Sequence, residues 1–124
     1  MAITDENTLR SSHFRQLEGS LRALSIATSD QLTLFPEQAA KADELARDFD
    51  HWSSVVRANY EGELSRAQAD ALAAIHQKFA TMSRDGAEFD PELWTESALS
   101  SSVHWDDVRR LAGVALETFG FGAP

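Results

Sequence analysis

Apolar residues recur every three or four positions along most of the chain, which is the period of an amphipathic α-helix. The pattern predicts a first helix over residues 5–27 and a second from about Glu37 to Tyr60, where Pro36 suits the first turn. Between them, Leu32, Leu34 and Phe35 make residues 28–36 too apolar for a free linker. We therefore expect an irregular connector that packs against the helices.

The second half of the chain carries clear helix-capping signals. Ser65 and Gln68 form the pattern of a capping box and predict the start of a third helix, which ends near Asp85-Gly86. Asp90-Pro91 predicts a short fourth helix that begins with an N-cap and a first-turn proline. A run of serines then precedes a fifth helix, for which Gly120 is the expected C-terminal stop.

Each long helix carries one apolar stripe that we expect to be buried. The stripes comprise Leu9, His13, Leu17, Leu21 and Leu24; Ala42, Leu45, Ala46, Phe49, Trp52 and Val56; Leu72, Ile75, Phe79 and Met82; and Trp105, Val108, Ala112, Ala115 and Phe119. Four long helices with short connections predict an all-α antiparallel bundle, with the short helix crossing one end or side. A length of 124 residues indicates a single domain, 1–124.

Composition narrows the classes of function. The chain has a formal net charge of -9 and a pI near 4.7, which argues against binding to nucleic acid phosphates. It has no cysteine and no apolar run near the roughly 18 residues that span a bilayer. The first six residues carry two acidic side chains and no basic one, and no apolar stretch follows them, so we expect no secretory signal. We expect a cytoplasmic protein that does not bind membranes.

The negative charge is concentrated between Asp85 and Asp107, where seven carboxylates occur without a lysine or arginine. Aromatic residues are interleaved with them, as they are at many protein interfaces. One-signed surfaces steer partners of opposite charge, so we expect a protein partner with a basic surface. Simple solubility explains the same charge and stays open as an alternative. The residues predicted to bind the partner are Glu88, Asp90, Glu92, Trp94, Glu96, Asp106 and Asp107.

Few residues suggest a metal site or a ligand-binding pocket. Glu44, Asp48 and His51 have metal-ligand spacing on the second helix, but they point away from its apolar stripe and fit a solvated polar face. His13 falls within the first apolar stripe, either as a hydrogen-bonded boundary histidine or as a polar group of an interhelical pocket that includes Tyr60 and His104. The second reading predicts a helix-bundle enzyme or a small-ligand or metal binder.

The chain contains none of the local motifs that mark common active sites. It has no Gly-x-Ser-x-Gly elbow, no Ser-x-x-Lys pair, no phosphate-binding glycine loop and no His-Glu-x-x-His zinc motif. We therefore expect no catalytic residue, metal or cofactor.

Two segments, Leu34 to Trp52 and Leu93 to Ala112, resemble small all-helical bacterial proteins of uncharacterised function. The resemblance implies an all-α fold and transfers no activity, cofactor or residue role. In size and charge the chain is also similar to acidic helical immunity proteins, which cover basic toxin surfaces. The leading hypothesis is a non-catalytic interaction module of the immunity, antitoxin or adaptor type. A homo-oligomer that pairs through one of the apolar stripes is a further alternative.

Overall fold

The computed structural model describes residues 6–122 and confirms the all-α prediction: this range contains helices and no strand. Two 3₁₀ turns, Glu61–Glu63 and Pro91–Trp94, lie in the connections between the helices. The helices are α1 (Glu6–Ser25), α2 (Thr28–Gln31), α3 (Lys41–Tyr60), α4 (Arg66–Met82), α5 (Glu96–Ser101) and α6 (Val103–Thr118).

The four long helices form an antiparallel bundle in which α1 packs against α3 and α6, and α6 also packs against α4. The direction follows from contacts between opposite ends, such as His13 near the start of α1 with Tyr60 at the end of α3. On α4 and α6, Phe79 near the end of one helix meets Trp105 near the start of the other. Helices α3 and α4 lie less closely together, which leaves a groove along this side of the bundle.

Most positions of the predicted apolar stripes are buried, and the α4 stripe is buried throughout. Leu9 is the most exposed of these positions, since 49% of the residue is accessible. Phe119 follows the last residue of α6 and contacts Phe14 of α1. Leu9 lies more than one turn before Phe14, so the start of α1 extends beyond the helix that covers the rest of the stripe. Trp52, Ala46, His13 and Phe119 are partly buried.

The predicted start of the second helix is wrong by four residues, since α3 begins at Lys41 rather than Glu37. Pro36 instead accepts the N–H of Ala39 in a turn. The Lys41 ammonium reaches back to the carbonyl oxygen of Glu37 at 3.2 Å and to the Glu96 carboxylate at 2.6 Å. This contact with α5 fixes Lys41 in a buried position and holds the preceding residues in a turn.

The connector over residues 28–36 is packed, although it is more regular than expected because α2 lies within it. Gln31 is fully buried and donates to the carbonyl oxygens of Ala23 and Leu24. Leu32 and Phe35 pack against the core. Leu34 is about half exposed, so its expected packing is wrong.

The capping signals in the second half are confirmed, with one change. Ser65 and Gln68 form both hydrogen bonds of a capping box, and Gly120 has the positive φ of 74° expected at a C-terminal stop. Asp90 accepts the N–H of Glu92, but the element that follows is a 3₁₀ turn rather than an α-helix. Thr95 then caps α5 separately, so the predicted short helix is divided in two.

Gly86 allows the chain to fold back over the end of α4. A Cβ at this position would overlap the carbonyl oxygens of Ala80 and Thr81. The Glu88 N–H donates to the Thr81 oxygen at 2.8 Å just beyond this point. Only glycine fits such a close approach between two backbone segments.

We expect Gly86→Ala to lower the free energy of unfolding by about 2 kcal/mol, because the added methyl group must displace backbone. Gly62→Ala is the matched control, since a Cβ there meets nothing within 4 Å. The control should be neutral or slightly stabilising. Urea unfolding of both variants provides the measurement, and equal stabilities would contradict this account of Gly86.

Candidate partner-binding surface

The segment from Asp85 to Trp94, here called the acidic connector, is tied to the bundle by two tryptophans. Trp94 Nε1 donates to the carbonyl oxygen of Met82 at 3.0 Å, and Trp105 Nε1 donates to that of Leu93 at 2.7 Å. The two indoles meet edge to face at 5.7 Å. Since Trp105 is fully buried and Trp94 packs against the core, the end of the connector at Leu93 and Trp94 has a fixed position.

Within the connector, Glu88 is bound to α4. Its carboxylate accepts from the Thr81 hydroxyl at 2.5 Å and from the Lys78 ammonium at 3.0 Å. These two hydrogen bonds, with smaller contributions from the Lys78 and His104 charges, hold the pKa of Glu88 below its usual value. Glu88 therefore remains ionised and holds the connector against α4.

Lys78 balances more than one of the predicted surface carboxylates. Its side chain is only 12% exposed, and the ammonium lies 3.3 Å from Asp107 as well as 3.0 Å from Glu88. His104 Nδ1 lies 2.9 Å from the same ammonium nitrogen. Lys78 is therefore the centre of a mixed-charge cluster that joins α4, the connector and α6.

Two further predicted carboxylates also have partners within the chain. Glu96 pairs with the buried Lys41, and Asp106 pairs with Arg109 at 2.8 Å. Arg109 is itself largely enclosed, because its guanidinium also donates to Thr28 and to the carbonyl oxygen of Leu99. These pairings reduce the local surplus of negative charge at α5 and the start of α6.

Within the acidic stretch from Asp85 to Asp107, the carboxylates that have no ion pair with residues 6–122 lie on the connector. Asp85, Asp90 and Glu92 are exposed, and none of them forms an ion pair with any residue from 6 to 122. Asp90 has a second role as the N-cap of the 3₁₀ turn. Phe89 and Trp94 are half-buried and line one recess, and Trp94 also packs against the core.

The groove between α3 and α4 opens next to the connector. It has a volume of about 370 Å³ beside Phe79, His76 and Trp94. A second recess of about 300 Å³ shares Trp94 with it and extends to Phe89 and Asp43. The aromatic part of the predicted surface is therefore continuous with a concave region that the sequence pattern did not indicate.

The three residues of the predicted interhelical pocket lie in two places. His13 Nδ1 and the Tyr60 hydroxyl are 2.7 Å apart, and the His13 ring lies 6.3 Å from that of Trp52. His104 instead belongs to the Lys78 cluster on α4 and α6. The structure brings the first pair together and separates it from His104.

Glu44, Asp48 and His51 do not form a metal site. Asp48 and His51 are exposed, and residues 6–122 contain no group of three potential metal ligands. Partial burial raises the pKa of Asp48 above its ordinary value, although a hydrogen bond with Trp52 opposes this shift. The predicted polar helix face fits this arrangement.

Ser53, His76 and Asp50 have the connectivity of a catalytic triad, which no linear motif revealed because they come from two helices. The Ser53 hydroxyl lies 2.8 Å from His76 Nε2, and Asp50 lies 3.7 Å from His76 Nδ1. However, Ser53 is fully buried, whereas Asp50 is 71% exposed. A triad needs an accessible nucleophile and an enclosed carboxylate, so this group serves as a hydrogen-bonded contact between α3 and α4.

Comparison with known proteins gives no relative: the sequence matches no family model and no curated protein, and no solved structure is significantly similar. Among the helices within residues 6–122, none combines the length and apolar character needed to cross a membrane.

Stability should depend on pH through His76. Burial, followed by the charge of Arg57, lowers the pKa of His76 below 6.5, so the unfolded chain binds this proton more readily than the folded chain. The stability that the folded chain has with a neutral His76 is fully present above pH 6.5, and it is lost as the pH falls from there through the folded-state pKa. We expect His76→Gln to reduce the dependence of the unfolding free energy on pH over this range.

Urea unfolding of the wild type and His76→Gln at a series of pH values provides the measurement. His51→Gln is the control, because His51 is exposed on α3 and its replacement should preserve the wild-type profile. Glu88 also titrates, but its contribution is lost below its ordinary pKa of 4.5. An unchanged slope near pH 6 in His76→Gln would rule out this role of the histidine.

Proposed function

We propose that this chain is a non-catalytic interaction module, of the immunity, antitoxin or adaptor type, that binds the basic surface of a protein partner. The observation that carries the proposal is the acidic connector. Its backbone is bound to the bundle, while Asp85, Asp90 and Glu92 remain exposed without a counter-charge among residues 6–122.

A fixed connector favours binding for an entropic reason. A mobile loop loses conformational freedom when it is immobilised at an interface, and this loss weakens the association. Here Glu88 and the two indoles already hold the connector in place. Its carboxylates are therefore presented in a defined arrangement before the partner arrives.

The net charge of the chain supports the choice of a basic partner. Internal ion pairs remove local charge but do not change the total of -9. This total attracts positively charged proteins over distances comparable to the Debye length, about 8 Å at physiological ionic strength. The connector then supplies the direct contacts, so we expect both the rate of association and the affinity to fall with salt.

The contact residues differ in part from those that the sequence suggested. Glu88 and Asp107 share Lys78, Glu96 binds Lys41, and Asp106 binds Arg109. These four carboxylates contribute mainly to the internal connections of the fold. In this proposal Asp90 and Glu92 make the ionic contacts, and Trp94 contributes an aromatic face.

The test compares a connector variant with a variant that carries the same change of charge elsewhere. The connector variant is Asp90→Asn with Glu92→Lys, in which asparagine keeps the N-cap. The control is Glu61→Gln with Glu117→Lys, because both glutamates are exposed at the other end of the bundle. Each double substitution raises the net charge by three, since it removes two carboxylates and introduces one lysine.

Each immobilised protein is exposed to lysate of the source cells at low and at high salt, and bound proteins are identified by mass spectrometry. We expect the wild type and the control to retain a basic protein in stoichiometric amount at low salt. The connector variant should retain about thirtyfold less, because it loses two charge contacts and each loss weakens binding by roughly 1 kcal/mol. Equal retention by the connector variant and the control would contradict the proposal.

A further inference from the structure

The groove between α3 and α4 contains a carboxylate without a balancing charge. The Asp50 side chain is 71% exposed. Among residues 6–122, its carboxylate lies 3.7 Å from one ionisable group, the Nδ1 atom of His76. Burial lowers the pKa of His76, so the imidazole is neutral near pH 7. Arg47 also lines the groove, but its guanidinium is held by Glu44 at 2.6 Å.

Aromatic rings form the other walls of this groove. The ring centroids of Phe79 and Trp94 lie 6.2 Å apart with their planes tilted by 34°, and that of the fully buried Phe49 lies 5.0 Å from the His76 ring. The partly buried Trp94 borders both this groove and the recess beside the acidic connector. A carboxylate, a neutral imidazole and aromatic rings therefore line a single groove of about 370 Å³.

This combination is complementary to an organic cation. Aromatic faces attract cations through the ring quadrupole, and a carboxylate adds charge-assisted hydrogen bonds. The neutral His76 ring itself adds no positive charge to the groove, although the charge of Arg57 also acts on this ring. The exposed Arg84 lies in the neighbouring recess rather than in this groove, so a cation is favoured on the Asp50 side of Trp94.

We propose that the groove receives an arginine side chain of the protein partner, whose guanidinium binds Asp50 and stacks on the aromatic wall. This inference rests on the proposed function and identifies the residue type by which the basic partner is anchored. Arginine suits the groove better than lysine because its planar guanidinium stacks on rings, binds carboxylates through two N–H groups and is more weakly hydrated.

The first experiment titrates the ¹⁵N-labelled chain with the peptide acetyl-Gly-Arg-Gly-amide and follows its NMR spectrum. The Trp94 indole N–H and the backbone amides of Asp50, His76 and Ala80 report on the groove. We expect saturable shifts at these positions with a dissociation constant of about 1 mM, which is typical of a single anchoring contact.

Two matched peptides test the chemistry of the occupant. Citrulline replaces arginine with a neutral group of nearly the same shape, and it should bind at least about tenfold more weakly because the charge-assisted hydrogen bonds are lost. A lysine peptide keeps the charge without the planar group and should also bind more weakly. Equal binding of either peptide overturns the assignment to arginine.

Two variants on α3 test the position. Asp50→Asn should abolish the shifts, and its spectrum should otherwise remain that of the folded protein because Asp50 is exposed. Asp48→Asn is the control, since Asp48 lies on α3 outside the groove and its replacement should leave binding unchanged. Shifts that persist in Asp50→Asn, or that never appear in the wild type, overturn the proposal.

Retention of the captured partner by these variants distinguishes a failure of this inference from a failure of the function on which it rests. If Asp50→Asn retains the partner as well as the wild type does, the groove is not the anchor, while the connector remains the binding surface. If retention does not depend on Asp90 and Glu92, the proposed function fails, whatever the peptide titration shows.

Discussion

Trp94 and Trp105 must each find an acceptor for an indole N–H that is enclosed by the fold, because a buried donor without a partner is strongly unfavourable. Trp94 donates to the carbonyl oxygen of Met82, the last residue of α4, and Trp105 donates to that of Leu93 in the connector. Their rings meet each other and Phe79. The path of the connector, the closure of this end of the bundle and the shape of the neighbouring groove all depend on these contacts.

The distribution of charge follows from the same arrangement. Because the connector folds back over α4, it brings Glu88 to Lys78, and the start of α6 brings Asp107 to the same ammonium. Lys41 balances Glu96 in a comparable way. Asp85, Asp90 and Glu92 of the connector remain exposed, and they form no ion pair within the part of the chain that the structure describes. A uniformly acidic stretch of sequence thus becomes an internal ionic framework with a smaller exposed acidic surface.

The features that the sequence predicted correctly are local ones. Capping at Ser65 and the buried stripe of α4 each depend on residues within a few positions of one another. The features that it did not predict depend on distant pairs. Lys41 and Glu96 are 55 positions apart, and they meet at the first residue of α3. His76 and Ser53 are 23 positions apart, so neither their hydrogen bond nor the groove beside them has a linear signal.

The central claim is that the acidic connector is held in place before any partner binds. The most direct measurement is ¹⁵N relaxation of the free chain, which gives an order parameter for each backbone amide on the picosecond to nanosecond scale. We predict order parameters of about 0.85 for Glu88, Phe89 and Leu93, equal to those of the adjoining helix α4. Values below about 0.6 across the connector, with rigid helices on either side, would contradict the claim.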